Sequence, residues 1–122
     1  MNDNIIDDST IVLHTTELIK KDFHLEGIDN DHITEEELLD NLSNYLALMM
    51  EQNMDYLLSL MYRLDIDERK INYAISPTAS DAPNVGLAKL IIQRQKQRVF
   101  TKKTIKPAAI HEEDEELNEL LW

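Results

Sequence analysis

The sequence predicts an all-α fold, a small bundle of four to five helices, and three observations support this prediction. The chain has 122 residues, which is enough for one modest core. It contains only 2 glycines and 3 prolines, whereas all-β folds use both residues in their many turns. Apolar residues also recur at helical spacing through a long tract, 33–64. We expect a frayed segment at 1–8, a single helical domain at 9–106 and a mobile acidic tail at 107–122.

The first predicted helix runs from Ser9 to Glu26. Its apolar stripe consists of Ile11, Val12, Leu18, Ile19 and Phe23. A β-branched cluster near its start leaves a short strand as the alternative. Gly27 favours the helix, because glycine can take the left-handed conformation that ends a helix while Ile28 packs back on Phe23.

The central tract begins with a capping box. Thr34 can accept a hydrogen bond from the backbone of Glu37, and the Glu37 carboxylate can accept one from the backbone of Thr34. Ile33 can pack on Leu38 as a hydrophobic staple. Three successive glutamates, at 35–37, place negative charge at the positive end of the helix dipole. The signals together predict a helix start at Thr34.

Two apolar stripes follow, rotated by roughly a quarter turn from one another. The first contains Leu38, Leu42, Tyr45, Leu46 and Met49, and the second contains Met50, Met54, Leu57, Met61 and Leu64. An unbroken helix of this length would extend about 45 Å, well beyond a domain whose radius of gyration is about 13 Å. We therefore predict two helices with a break at 51–53, and we expect the methionines to lie in the core.

Two further helices are predicted in the C-terminal half. Asp65 with Glu68 suggests a cap for a short helix whose apolar stripe contains Ile66, Ile71, Ala74 and Ile75. After a loop at 76–81, Asp81 or Asn84 could cap a helix over about 85–101, with Pro83 tolerated in its first turn. One side of that helix carries Leu87, Ala88, Ile91, Ile92 and Val99, and the other carries its basic residues interleaved with Gln93, Gln95 and Gln97.

The charges are strongly segregated along the chain, whose formal net charge is −12. Residues 1–81 contain eighteen acids and five bases, residues 82–111 contain seven bases and no acid, and residues 112–122 contain six acids and no base. The basic stretch 85–106 is therefore the best candidate for a polyanion or partner contact. Its candidate contact residues are Lys89, Arg94, Lys96, Arg98, Lys102 and Lys103. An ordinary helix with a solvated cationic side is the alternative.

The acidic tail has two possible roles, and disorder is the alternative to both. It could cover the basic helix within the same chain, an attraction that salt screens over about 8 Å. Its apolar end, formed by Leu120, Leu121 and Trp122, could instead bind a partner's groove as an amphipathic helix. The tail could also be disordered. Any part of the apolar tract 34–64 that stayed exposed would favour a homodimer.

The sequence offers little that favours catalysis. The chain has no cysteine, which excludes disulfides and thiol nucleophiles, and it has no Gly-rich phosphate loop or Glu-x-x-His pair. The acidic loop at 28–32 departs from a calcium-binding EF-hand, because Ile28 would occupy a ligand position. We therefore expect no cofactor, no metal and no enzymatic activity. No apolar run approaches the ~20 residues of a membrane span, so we expect a cytoplasmic protein that does not enter membranes.

The leading functional prediction is a small protein-interaction or regulatory module that self-associates. One alternative is a nucleic-acid-associated accessory protein that uses the basic helix at 85–106 on phosphates. A single aromatic residue in that stretch, Phe100, argues against single-strand binding, which usually employs several stacking side chains. A small helical enzyme is the least favoured class.

Overall fold

The computed structural model describes residues 8–25 and 33–104, and it confirms the predicted all-α bundle. These residues form five helices and no strand. The helices are α1 (Asp8–Phe23), α2 (Glu35–Gln52), α3 (Met54–Arg63), α4 (Glu68–Ala74) and α5 (Pro83–Thr104). Among the described residues no helix is both long enough and apolar enough to cross a bilayer. The predicted frayed segment, except for Asp8, and the predicted tail at 107–122 lie outside these residues.

Helix α1 confirms the predicted helix over the alternative strand, but it ends earlier than predicted. Phe23 is its last residue, and His24 adopts the left-handed conformation with φ of 55°. The Leu25 amide donates to the Lys20 carbonyl at 3.1 Å, as in a Schellman motif, and Leu25 packs against the core. The prediction that Gly27 ends the helix was therefore wrong. Contact of Leu25 with the core determines the end, although a left-handed histidine costs about 1–2 kcal/mol.

Helix α2 begins with the predicted capping box. The Thr34 amide donates to Glu37 Oε1 at 2.9 Å, and the Glu37 amide donates to Thr34 Oγ1 at 3.1 Å. Ile33, which precedes the cap, is half-buried against the core. Two backbone amides at the helix start that lack a backbone acceptor are thus hydrogen-bonded by side chains. Because both side chains lie within the first turn, the local sequence was enough to predict this start.

Asn53 separates α2 from α3 and confirms the predicted break in the central tract. Its backbone leaves the helical conformation, with φ of −160° and ψ of 73°. The Asn53 amide donates to the Met49 carbonyl at 2.7 Å and so ends α2. Its Oδ1 atom accepts from the Tyr56 amide at 3.1 Å and so begins α3. One asparagine therefore caps both helices, and no glycine or proline is needed at the break.

Helix α3 ends in a complete Schellman motif that also places α4. Asp65 is left-handed, with φ of 64°. The Asp65 amide donates to the Tyr62 carbonyl at 3.0 Å, and the Ile66 amide donates to the Met61 carbonyl at 3.2 Å. The prediction that Asp65 caps α4 was wrong. Asp67 is the cap, accepting from the Arg69 amide at 2.9 Å, because burial of Ile66 requires the intervening turn.

Helix α5 is longer than predicted and begins at Pro83. The Gly86 amide donates to the Ala82 carbonyl at 2.9 Å, so neither predicted cap, Asp81 or Asn84, holds that position. Asn84 instead donates through Nδ2 to the Ser43 carbonyl on α2 at 3.0 Å. Proline suits the first helical position because its missing amide would have no partner there.

The core lies around α5, which packs extensively against α1, α2 and α4. The predicted apolar side of α5 is buried throughout. The prediction that the methionines lie in the core is confirmed for Met49 and Met61, whereas Met50 and Met54 are half-buried against that core. Helix α5 is the helix that most others contact.

We predict that Asn53→Ala lowers the free energy of unfolding by about 1 kcal/mol, because the Tyr56 amide loses its capping acceptor. Urea denaturation measures this loss. Asn44→Ala, an exposed position within α2, is the matched control and should cause no loss, since alanine is the better helix former. An Asn53→Ala chain as stable as the unsubstituted chain would contradict the capping role.

Candidate interaction surfaces

The cationic side of α5 was the predicted contact surface, and much of it contacts the protein's own acids. Lys89 Nζ lies 3.0 Å from Asp81 Oδ2. Lys96 Nζ lies 2.8 Å from Glu35 Oε1, at the start of α2. Both pairs are partly exposed, so each contributes no more than about 1 kcal/mol to stability. Each pair places its lysine beside an acid of the same chain.

The two arginines of α5 converge on the end of α3. Arg94 Nε donates to the Leu64 carbonyl at 2.9 Å, and Arg98 Nη2 reaches the same oxygen at 3.5 Å. Arg94 also lies 3.6 Å from the Asp65 carboxylate. Positive charge at the carboxyl end of a helix complements its dipole. Burial, followed by the neighbouring Arg94, lowers the pKa of Arg98 below its ordinary value.

The remaining two predicted contact residues lie in the last turn of α5. Lys102 is exposed and takes part in an intramolecular interaction, and Lys103 follows it in the helix. The structure thus places all six predicted residues on one helix, but it directs four of them toward other groups of the chain. The nucleic-acid alternative stays a prediction, and these contacts leave less positive charge for phosphates.

A buried polar cluster joins α1 to α5, and the sequence prediction missed it. Gln95 was assigned to the solvated side of α5, yet its side chain is fully buried. Its Nε2 atom donates to Asp22 Oδ2 at 2.6 Å. Thr15, also on α1, is fully buried as well. A signal was present, because Gln95 lies four residues after Ile91 and four before Val99, on the apolar stripe.

Asp22 is the titratable group of this cluster. Burial raises the pKa of its carboxyl above the ordinary value, an effect larger than the lowering by Arg98, Lys21 and the hydrogen bond from Gln95. A carboxylate that is only partly compensated therefore lies at the α1–α5 interface. Its protonation state is coupled to the packing of these two helices.

An open groove of about 280 Å³ also lies between α1 and α5. It is lined by Ile11, Gln93, Lys96, Gln97 and Phe100, and its walls are mostly apolar. Phe100 remains 51% exposed, which is unusual for a large aromatic side chain beside a concave surface. We call this feature the α1–α5 groove. Its shape and apolar walls suit a large apolar side chain.

Tyrosines form a second exposed feature, on α3 and α4. Tyr56 and Tyr62 of α3 are 44% and 47% exposed, and Tyr73 of α4 is 53% exposed. The fourth tyrosine, Tyr45, instead donates to the Phe23 carbonyl at 3.0 Å and is half-buried. Three of the four tyrosines in the chain thus present much of their rings to solvent.

Groups suited to metal binding are not assembled in the described part of the chain. Within it, no group of three or more His, Cys, Asp or Glu side chains could hold a metal ion. His14 lies 3.2 Å from Glu17 in a surface pair one helical turn apart. The predicted tail contacts Leu120, Leu121 and Trp122 lie outside residues 8–25 and 33–104.

Comparisons with known proteins returned no significant match to a protein-family model, to a curated protein or to a solved structure.

We predict that Asp22→Asn changes how stability depends on pH. The folded-state pKa of Asp22 lies above the ordinary value of 3.8, so the folded chain binds this proton more tightly than the unfolded chain. That contribution to stability is present below pH 3.8 and is lost as the pH rises through the folded-state pKa. As the pH rises through this range, the free energy of unfolding of Asp22→Asn should therefore increase relative to that of the unsubstituted chain.

Urea denaturation at a series of pH values measures this difference. Asp40→Asn, which replaces an exposed acid on α2, is the matched control and should give a smaller change with pH. A difference between Asp22→Asn and the unsubstituted chain that stayed constant with pH would show that burial does not govern this carboxyl.

Proposed function

We propose that the chain is a small protein-interaction module that self-associates through the exposed sides of α3 and α4. The observation that carries this proposal is the exposure of Tyr56, Tyr62 and Tyr73 on these two consecutive helices. Tyrosine is enriched at protein interfaces and among the residues that dominate binding energy, because its ring buries a large area and its hydroxyl can still hydrogen-bond.

The arrangement on α3 suits contact with another helix. Tyr56, Ser59 and Tyr62 follow at intervals of three residues and are all exposed. Residues at this spacing occupy neighbouring positions along one side of a helix. A second copy placed across a two-fold axis would bring the same tyrosines into contact from both chains, as an isologous interface requires.

Charge also favours this region over the surface of α2. The whole chain carries −12, so two copies repel each other at long range. Residues 54–75 contain four acids and three bases, a net charge of −1, whereas residues 35–52 of α2 contain five acids and no base. Two copies therefore meet less local repulsion where α3 and α4 face each other than where α2 faces α2.

The test is sedimentation equilibrium at micromolar concentration. The unsubstituted chain should show a dimer, and the double variant Tyr56→Ser with Tyr62→Ser should weaken its dissociation constant by about thirtyfold or more, since interface hot spots are worth about 2 kcal/mol or more. Leu48→Ser is the matched control, because Leu48 is a comparably exposed apolar residue on α2, and it should leave the dimer intact. Only monomer for the unsubstituted chain, or equal dimerisation by the tyrosine variant, would refute the proposal.

A further inference from the structure

We propose that the α1–α5 groove binds the apolar end of the chain's own C-terminal segment, with Trp122 as the anchor and Leu120 and Leu121 beside it. This inference goes beyond self-association and concerns a different surface. The segment 105–122 lies outside the described residues, so the proposal rests on the groove, on the length of chain that follows α5 and on the charges of both parts.

The chemistry of the groove selects one large apolar side chain. Ile11 and Phe100 provide hydrocarbon and aromatic surface, and the side chains of Gln93, Lys96 and Gln97 complete the walls. Its volume of about 280 Å³ lies near the lower limit of small-molecule pockets, about 300 Å³. A whole helix needs a longer trough than this. An indole ring fits the size, and it can stack on or meet the edge of Phe100.

The segment is long enough to reach the groove from the end of the same helix. The groove extends along α5 from Gln93 to Phe100, which lies about 6–17 Å back from Thr104 at 1.5 Å per residue. Seventeen residues separate Thr104 from Trp122, and an unstructured chain of that length spans on average about 20–25 Å. Tethering at this distance gives an effective concentration in the millimolar range, so a weak contact suffices.

Opposite charges favour the same placement. The segment 112–122 contains six acids and no base. Lys96, which also pairs with Glu35, lies in the wall of the groove, and Lys102 follows beyond Phe100 on the same helix. Acids that precede the apolar end would lie near this cationic stretch when Trp122 is bound. The attraction should weaken with salt, because the charges are close to solvent.

Intrinsic fluorescence tests the proposal on the full chain, because Trp122 is its only tryptophan. We expect the emission of the unsubstituted chain to be blue-shifted and weakly quenched by iodide. Phe100→Ser should shift the emission to that of free tryptophan in water and increase iodide quenching severalfold. Gln97→Glu, which adds an acid to the groove wall at an exposed position, should have the same effect in a chain whose circular dichroism is unchanged.

Matched controls separate this site from the dimer surface. Tyr73→Ser removes an aromatic ring that is as exposed as Phe100, but on α4, and should leave the emission unchanged. The double variant Tyr56→Ser with Tyr62→Ser should also leave it unchanged, so either proposal can fail without the other. Emission that does not change on dilution shows binding within one chain.

Three outcomes would overturn the proposal. The first is tryptophan emission typical of water in the unsubstituted chain. The second is blue-shifted emission that neither Phe100→Ser nor Gln97→Glu alters, because the ring would then be buried elsewhere. The third is a blue shift that disappears on dilution, because the occupant would then belong to a second copy or another partner.

Discussion

The structure depends on the enclosure of α5 by its neighbours. This helix packs against α1, α2 and α4, and its arginines reach the end of α3. Gln95 lies on the apolar stripe of this helix, between Ile91 and Val99, and is buried together with it. Buried polar groups need hydrogen-bond partners, because an unpaired group costs about 1–3 kcal/mol. Asp22 and the Leu64 carbonyl supply partners, and they tie α1 and α3 to α5.

The same enclosure explains how the segregated charge is used. The acids that form ion pairs with α5 come from the acidic part of the chain before it: Glu35, Asp65 and Asp81. Exposed ion pairs add little stability, so their main contribution is to set the position of α5 against the other helices. Basic side chains of α5 that were predicted to contact an external polyanion instead contact acids of the same chain. The tyrosines of α3 and α4 and the α1–α5 groove then become the more distinctive parts of the surface.

Helix boundaries show where local signals sufficed. The capping box at Thr34 was predicted correctly, because all its partners lie within four residues of one another. The break at 51–53 was predicted from the change of apolar stripe and the length of the tract, and Asn53 provides it. The end of α1 at Phe23 and the cap of α4 at Asp67 were missed, since each depends on an apolar residue, Leu25 or Ile66, finding a place in the core. At the end of α1, the contact of Leu25 with the core therefore decides the last helical residue, rather than the nearby Gly27.

The sequence by itself determined the all-α class, the helix inventory, most apolar residues of the core and the location of the positive charge on one helix, although Ile75 is exposed and Leu60 is buried against expectation. These properties follow from composition, periodicity and neighbours within a turn or two. Only the tertiary structure decided that α5 lies at the centre, that Gln95 is buried, which groups Arg94 and Lys96 contact and where the groove forms. These features join residues 30–73 positions apart or depend on how α1 packs on α5, and no local pattern encodes which helices become neighbours.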